Sequence, residues 1–243
     1  MLKAWVALLA VLALLLAPPT SQFTDEVWEA NQDIYQEILR HPFLKGMQDG
    51  SLDPKIFAFY LMQDAYYLRE FALALEATAA KAPKKEWAEL LKSHAQQSLE
   101  EELLLHESVL KEYGISAEEQ ALMEPAPEAF AYASYIVAVT HTRPFPEALS
   151  VLLPCYWIYW EVGKELSKQK SPDSQYQKWI DEYASEDYGK AVQSVLDIAD
   201  ELATGATAEE LKEMKQHFRR ASRYEWMFWD SAYHRRRWSP GPR

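Results

Sequence analysis

From Phe23 onward, apolar residues recur at spacings of three and four with polar residues between them, the period of helices that bury one face. Runs of β-branched residues are few and the chain holds only 7 Gly, so strands and hairpins have little to start from. Asp53-Pro54 and Ser171-Pro172 each set a capping residue before a proline at a first helical position, and Ser116-Ala117-Glu118-Glu119 and Thr207-Ala208-Glu209-Glu210 have the layout of capping boxes. Breaks fall near His41-Pro42, Ala82-Pro83, Pro125 to Pro127, Arg143 to Pro146 and Ala203 to Ala206. About eight or nine helices follow. Connections are short and no solenoid-type repeat is present, so the pattern predicts an all-α, single-domain helical bundle over residues 23–238, with 239–243 as a flexible tail.

The first 22 residues obey other rules. Lys3 precedes an unbroken apolar run from Ala4 to Ala17, after which Pro18-Pro19-Thr20-Ser21-Gln22 turns polar, the arrangement of a secretory signal peptide. The run is shorter than the roughly 20 residues that cross a bilayer as a helix, so no stable membrane anchor is expected after processing. Residues 1–22 therefore read as a leader, cut between Ala17 and Gln22, and the mature protein is expected in the periplasm or outside the cell.

Charge narrows the partners. With 25 Lys+Arg against 37 Asp+Glu, a net charge of -12, the chain repels phosphate backbones and anionic lipid, so nucleic acid is not expected as a partner. The one basic run, His234 to Arg237, reads as part of a solvated tail.

Candidate chemistry centres on the only cysteine, Cys155, in Leu153-Pro154-Cys155-Tyr156-Trp157-Ile158-Tyr159-Trp160-Glu161. A lone thiol forms no intramolecular disulfide. It packs as a small hydrophobe in the simpler reading, and in the other it serves as a nucleophile. Tyr159 lies one turn away on the same helical face, and Pro154 weakens or kinks the ladder just before the thiol. Asp64 and Tyr67 stand at i, i+3 on another helix, where Asp64 by pattern alone belongs to a surface face. Glu225, among Tyr224, Trp226, Phe228 and Trp229, reads as buried, with a carboxyl pKa raised toward the range useful for proton transfer. No histidine follows a Glu by three residues, and Glu37/His41, Glu102/His106 and Glu213/His217 read as helix-stabilising i, i+4 pairs, so no metal or cofactor is expected. Phosphate loops, serine nucleophile elbows and Cys-x-x-Cys are absent from the sequence.

Four segments together carry a resemblance: Gln63-Asp64-Ala65-Tyr66-Tyr67-Leu68, the Cys155 segment, Tyr183-Ala184-Ser185-Glu186-Asp187-Tyr188, and Ala221-Ser222-Arg223-Tyr224-Glu225-Trp226-Met227-Phe228-Trp229. In this order and spacing the chain resembles the TenA/thiaminase II family, in its cysteine-containing branch. The resemblance implies a haem-oxygenase-like fold without haem, assembled as a homotetramer. It implies hydrolysis of 4-amino-5-aminomethyl-2-methylpyrimidine, and more slowly of thiamin, to the 5-hydroxymethyl pyrimidine. In family terms Cys155 is the nucleophile, Glu225 the general acid/base, and Asp64 a carboxylate on the ring's amidine edge, while Tyr67, Tyr132, Tyr159 and Tyr183 line the pocket. The chemistry is coherent, since a flat aminopyrimidine offers a face for stacking and an edge for hydrogen bonding. Two rivals stand beside it: a non-catalytic thiamin- or pyrimidine-binding protein, and a redox enzyme of the pyrroloquinoline-quinone synthase type, in which Cys155 and Glu225 would need no joint role.

Overall fold

The computed structural model describes residues 22–102, 110–116, 118 and 122–239. The apolar run read as a leader, the capping box begun at Ser116, His106 and the last four residues of the tail fall wholly or partly outside them. Within the described residues every regular element is helical: α1 Phe23–Ala30, α2 Gln32–Arg40, α3 Pro42–Asp49, α4 Pro54–Ala79, α5 Lys85–Gln97, a π-helical turn Ser98–Glu102, α6 Pro127–Thr142, α7 Phe145–Ser150, α8 Leu153–Leu166, α9 Ser174–Tyr183, α10 Glu186–Thr204 and α11 Ala208–His234. No described helix is long and apolar enough to cross a membrane.

The all-α bundle is as expected, but it has more helices than the pattern announced. Three breaks carry no advance mark of the kind that proline pairs supply. At Asn31 the side-chain amide donates to the Val27 carbonyl at 2.6 Å, competing with the backbone ladder and separating α1 from α2. Pro154 does not kink α8. It sits in that helix's first turn, where its missing N–H costs nothing, and it separates α8 from α7. Ser185 caps α10, its Oγ accepting from the Tyr188 N–H at 3.1 Å. The start expected at Ser171 also moves: Asp173 is the cap, taking the Gln175 N–H at 2.8 Å, while Ser171 Oγ donates to the Met47 carbonyl. Asp53 and Thr207 cap α4 and α11 as their motifs indicate.

Two long helices organise the core. α4 packs on α5, α6 and α11, and α11 in turn meets α6, α7 and α8. α8 lies against α9, α10 and α11, so its first turns, which hold Cys155, are enclosed. Gly163 lets α8 approach the end of α9 closely, since a Cβ there would stand 2.5 Å from the Tyr183 carbonyl carbon. α1 is tied to α10 by Thr24, whose N–H and hydroxyl reach the two Asp200 oxygens at 2.9 and 2.8 Å, and to α8 by the indole of Trp28 stacked on Trp157 at 4.5 Å.

The basic run is exposed, as expected, but it is tied to the bundle. Arg235 ends α11 in the left-handed region, Arg236 bridges Glu128 and Asp230, and Trp238 Nε1 donates to the Pro125 carbonyl at 2.9 Å. Two of the expected i, i+4 pairs also dissolve. Pro42 ends α2 before His41, whose Nδ1 instead accepts from the Phe43 N–H and whose Nε2 faces Asp230. His217 turns to Glu147 and Tyr135 in place of Glu213.

Candidate active site

Cys155 occupies the third position of α8, in the first turn of a helix, where the unpaired N–H groups and peptide dipoles favour negative charge on a side chain. The thiol is buried, and against it lies an enclosed cavity of about 20 Å³ lined by Asp64, Leu68, Phe71, Tyr159 and Tyr183. α8 therefore supplies both the sulfur and, one turn on, Tyr159.

The acids come from the two long helices. Asp64, expected on a surface face, is 2% exposed. Phe57, Tyr60, Leu61, Tyr67, Leu68 and Phe71 share its face at helical spacing and are buried too, while the outward stripe of α4 runs through Met62, Ala65, Tyr66 and Arg69, so Asp64 goes inward with its face. Glu225, on α11, is 1% exposed and accepts a 2.6 Å hydrogen bond from the Tyr132 hydroxyl. Burial raises the Glu225 pKa to about 8, partly opposed by the Tyr132 bond. Asp64 is likewise raised to about 8, first by burial and then by the charge of Glu225, with a hydrogen bond to Tyr60 working the other way. At neutral pH both carboxyls favour the protonated form, and their titrations belong to the pair.

Tyrosines complete the walls. Tyr67 stacks on Tyr132 at 4.7 Å, and Tyr132 stacks in turn on Tyr224 at 5.2 Å, which orients the hydroxyl that serves Glu225. Tyr159 and Tyr183 meet at 5.0 Å. Burial holds the Tyr67, Tyr132 and Tyr159 hydroxyls well above the usual phenol range, so all three remain neutral hydrogen-bonding groups. All seven residues singled out from the sequence thus converge on one buried region. Sequence reasoning missed Tyr60, which accepts from Trp179 Nε1 at 3.3 Å and lies 3.4 Å from the Tyr159 hydroxyl. It stands one turn before Asp64 on α4, and that i, i+4 relation to an acid was the available sign.

A metal has one candidate position among the described residues: ligand-type atoms of Glu147, Glu213 and His217 lie within 4.8 Å of one another. Both ring nitrogens of His217 already have partners there, Tyr135 at 2.7 Å and Glu147 at 3.0 Å, so the cluster is self-satisfied as a bundle contact.

A helical bundle built around a single enclosed thiol with two neutralised acids is a recognisable class of small-molecule site. The chain belongs to the TENA/THI-4/PQQC family, whose model matches residues 28–235. It is 36% identical over 218 residues to an aminopyrimidine aminohydrolase of Bacillus subtilis, covering 90% of this chain and 92% of that protein. Among solved structures, the TenA homologue from P. horikoshii OT3 superposes with a TM-score of 0.81 at 28% identity, covering 88% of this chain and 99% of the other. A haem-oxygenase-like domain from Shewanella denitrificans shares the fold, with a TM-score of 0.70 at 15% identity over 87% of this chain and 92% of that one.

Proposed function

We propose that this protein is an aminopyrimidine aminohydrolase with thiaminase II activity, a hydrolase acting on C–N bonds in thiamin salvage or degradation. The observation that carries the reading is the only thiol and the Asp64 carboxyl on one closed cavity, with a second buried acid, Glu225, near enough to raise the pKa of Asp64. A neutral carboxyl presents one donor and one acceptor, which is the complement of the ring nitrogen and amino group on the amidine edge of a 4-aminopyrimidine. Asp64 is therefore the edge reader in its acid form, a change from the carboxylate that the family resemblance implies.

The ring position opposite that edge nitrogen, C6, then points toward Cys155. The thiolate adds at C6 while Glu225, as general acid, gives its proton to a ring nitrogen. The electrons gathered in the ring expel the amine from the 5-methylene carbon, water adds to that carbon, and the sulfur departs as the ring recovers its aromaticity. Ammonia and the hydroxymethyl pyrimidine are the products; with thiamin the leaving group is the thiazole. Incubating the purified chain with the aminomethyl pyrimidine and with thiamin, and following hydroxymethyl pyrimidine, tests the reading. Binding of both compounds without release of product would make the protein a carrier, not an enzyme.

We also propose that the protein is exported and homotetrameric. Lys3 and the apolar run after it support export, and the first described helix starts at Phe23, just beyond the expected cut. Mass spectrometry of the native protein from fractionated cells decides this, since cytoplasmic protein that retains residues 1–17 would refute export. Exposed Leu73, Leu122, Phe130 and Trp238 support assembly, which light scattering on the purified protein measures.

A further inference from the structure

Tyr60 precedes Asp64 by one turn of α4, on the same inward face, and is itself fully buried. Its ring is held by Phe43 at 5.1 Å, by Phe57 stacked at 5.9 Å and by Phe228 edge-on at 5.9 Å, which fixes where the hydroxyl sits. A phenol hydroxyl has one proton to give and lone pairs to offer. Trp179 Nε1, a donor only, reaches it at 3.3 Å, so that contact takes a lone pair and turns the Tyr60 proton away from α9. Two acceptors remain, the Tyr159 oxygen and the Asp64 carboxyl. The Tyr159 oxygen lies at 3.4 Å, long for an O–H···O bond, while Asp64 has a hydrogen bond with Tyr60 that holds its pKa down against burial. The carboxyl is the stronger acceptor, and the hydroxyl proton turns to it.

A carboxyl held from one side has two unlike oxygens. In the acid form the oxygen that accepts from Tyr60 is the carbonyl one, and the acid proton sits on the other. Without that contact either oxygen can carry the proton, and a ligand edge with one acceptor and one donor meets either order. We propose that Tyr60 is a positioning residue for the cavity: its hydroxyl, anchored by Trp179, fixes which oxygen of Asp64 carries the acid proton, and so sets the order in which donor and acceptor meet the ligand. The identity of the ligand rests on the aminohydrolase reading; the ordering of the carboxyl does not.

Other groups facing Asp64 must be kept from masking the effect. Glu225 of α11 raises its pKa, and Cys155, Tyr156 and Tyr159 of α8, Tyr183 of α9 and Tyr188 of α10 share its cavity. Tyr132 of α6 acts through its bond to Glu225, and His94 of α5 through its contact with Tyr156. The test therefore uses the full chain carrying Cys155→Ser and Glu225→Gln, in which neither the thiol nor the second acid titrates. Infrared difference spectra follow the carbonyl stretch of the protonated Asp64 carboxyl with pH, and Asp64→Asn identifies the band. Calorimetry follows binding of 4-amino-5-hydroxymethyl-2-methylpyrimidine, which carries no ammonium group, over the same range.

Tyr60→Phe keeps the packed ring and removes the hydroxyl. The Asp64 midpoint should move upward by at least about half a pH unit, since the ionised carboxylate loses a donor. Binding below that midpoint should weaken about fivefold, since the carboxyl loses its fixed order. Tyr60→Phe combined with Trp179→Phe leaves no buried N–H without an acceptor, and the same two effects should appear in it. A midpoint that stays within about 0.2 of a pH unit in both variants would overturn the positioning role. A midpoint that moves while binding stays within about twofold would overturn the ordering of donor and acceptor. If the midpoint moves as expected but the unmodified protein neither binds nor hydrolyses the pyrimidines, the positioning of Asp64 stands and the aminohydrolase reading falls.

Discussion

At the residue scale, the thiol and the two buried acids should separate by kinetic signature. Cys155→Ser places a hydroxyl of similar size in the first turn of α8, so the variant should fold normally and lose nearly all hydrolysis, because an alcohol is far less nucleophilic than a thiolate near neutral pH. Glu225→Gln should keep the Tyr132 contact in some form and lower kcat by roughly 10²- to 10⁴-fold, with a smaller change in KM. Asp64 offers a sharper test. If its neutral form reads the ring, Asp64→Asn, which also presents one donor and one acceptor edge, should bind the pyrimidine within a few-fold of the unmodified protein at pH 7, while Asp64→Ala should not. Raising the pH through about 8 should weaken binding in the unmodified protein but not in the Asn variant. Calorimetric titration at two pH values distinguishes these outcomes. The aromatic neighbours of Glu225 pointed to its burial, and the roles of Cys155 and Glu225 came from the family resemblance, but the burial of Asp64 was not read from its neighbours. Burial at that position follows from which face of α4 is covered by α5, α6 and α11, a matter of packing between elements distant in the chain.

At the scale of elements, the site depends on how closely α8 can approach α9. A methyl at Gly163 would meet the Tyr183 carbonyl carbon at 2.5 Å and the Ala184 nitrogen at 2.7 Å, backbone atoms that have no side-chain freedom to yield. Gly163→Ala should therefore cost about 1–3 kcal/mol of stability, as overpacking of a helix crossing does. Because Tyr183 walls the cavity, the same variant should raise KM, which urea denaturation and steady-state kinetics measure together. Helix boundaries were legible where a rigid or capping residue announces them, as at Pro42, Asp53, Pro127 and Thr207. They were missed at Asn31 and Ser185, where one side chain redirects the backbone inside an otherwise continuous apolar pattern. Ser185 followed by Glu186 and Asp187 did carry the mark of a helix start, an acceptor followed by acids in the first turn.

For the whole molecule, two acids raised to about 8 tie stability to pH in an uncommon direction. In the unfolded chain both ionise in the ordinary carboxylate range, so between there and pH 8 folding takes up protons, and the stability held by the neutral pair is fully present at the acid end and lost as pH rises through 8. The melting temperature should fall between pH 5 and about 9, and the double variant Asp64→Asn, Glu225→Gln should flatten that fall, as a series of thermal melts shows. Helix α1 gives the molecule a further property. Trp28 and Trp157 are stacked at 4.5 Å with their planes 20° apart, one on α1 and the other two residues beyond Cys155. Indoles held this close share their excited states, so the pair should give a bisignate exciton band in circular dichroism that isolated tryptophans do not. Trimming anywhere up to Gln22 leaves that chromophore whole, whereas losing α1 abolishes it, and one optical spectrum then reports whether α1 is still docked on the helix that carries the thiol.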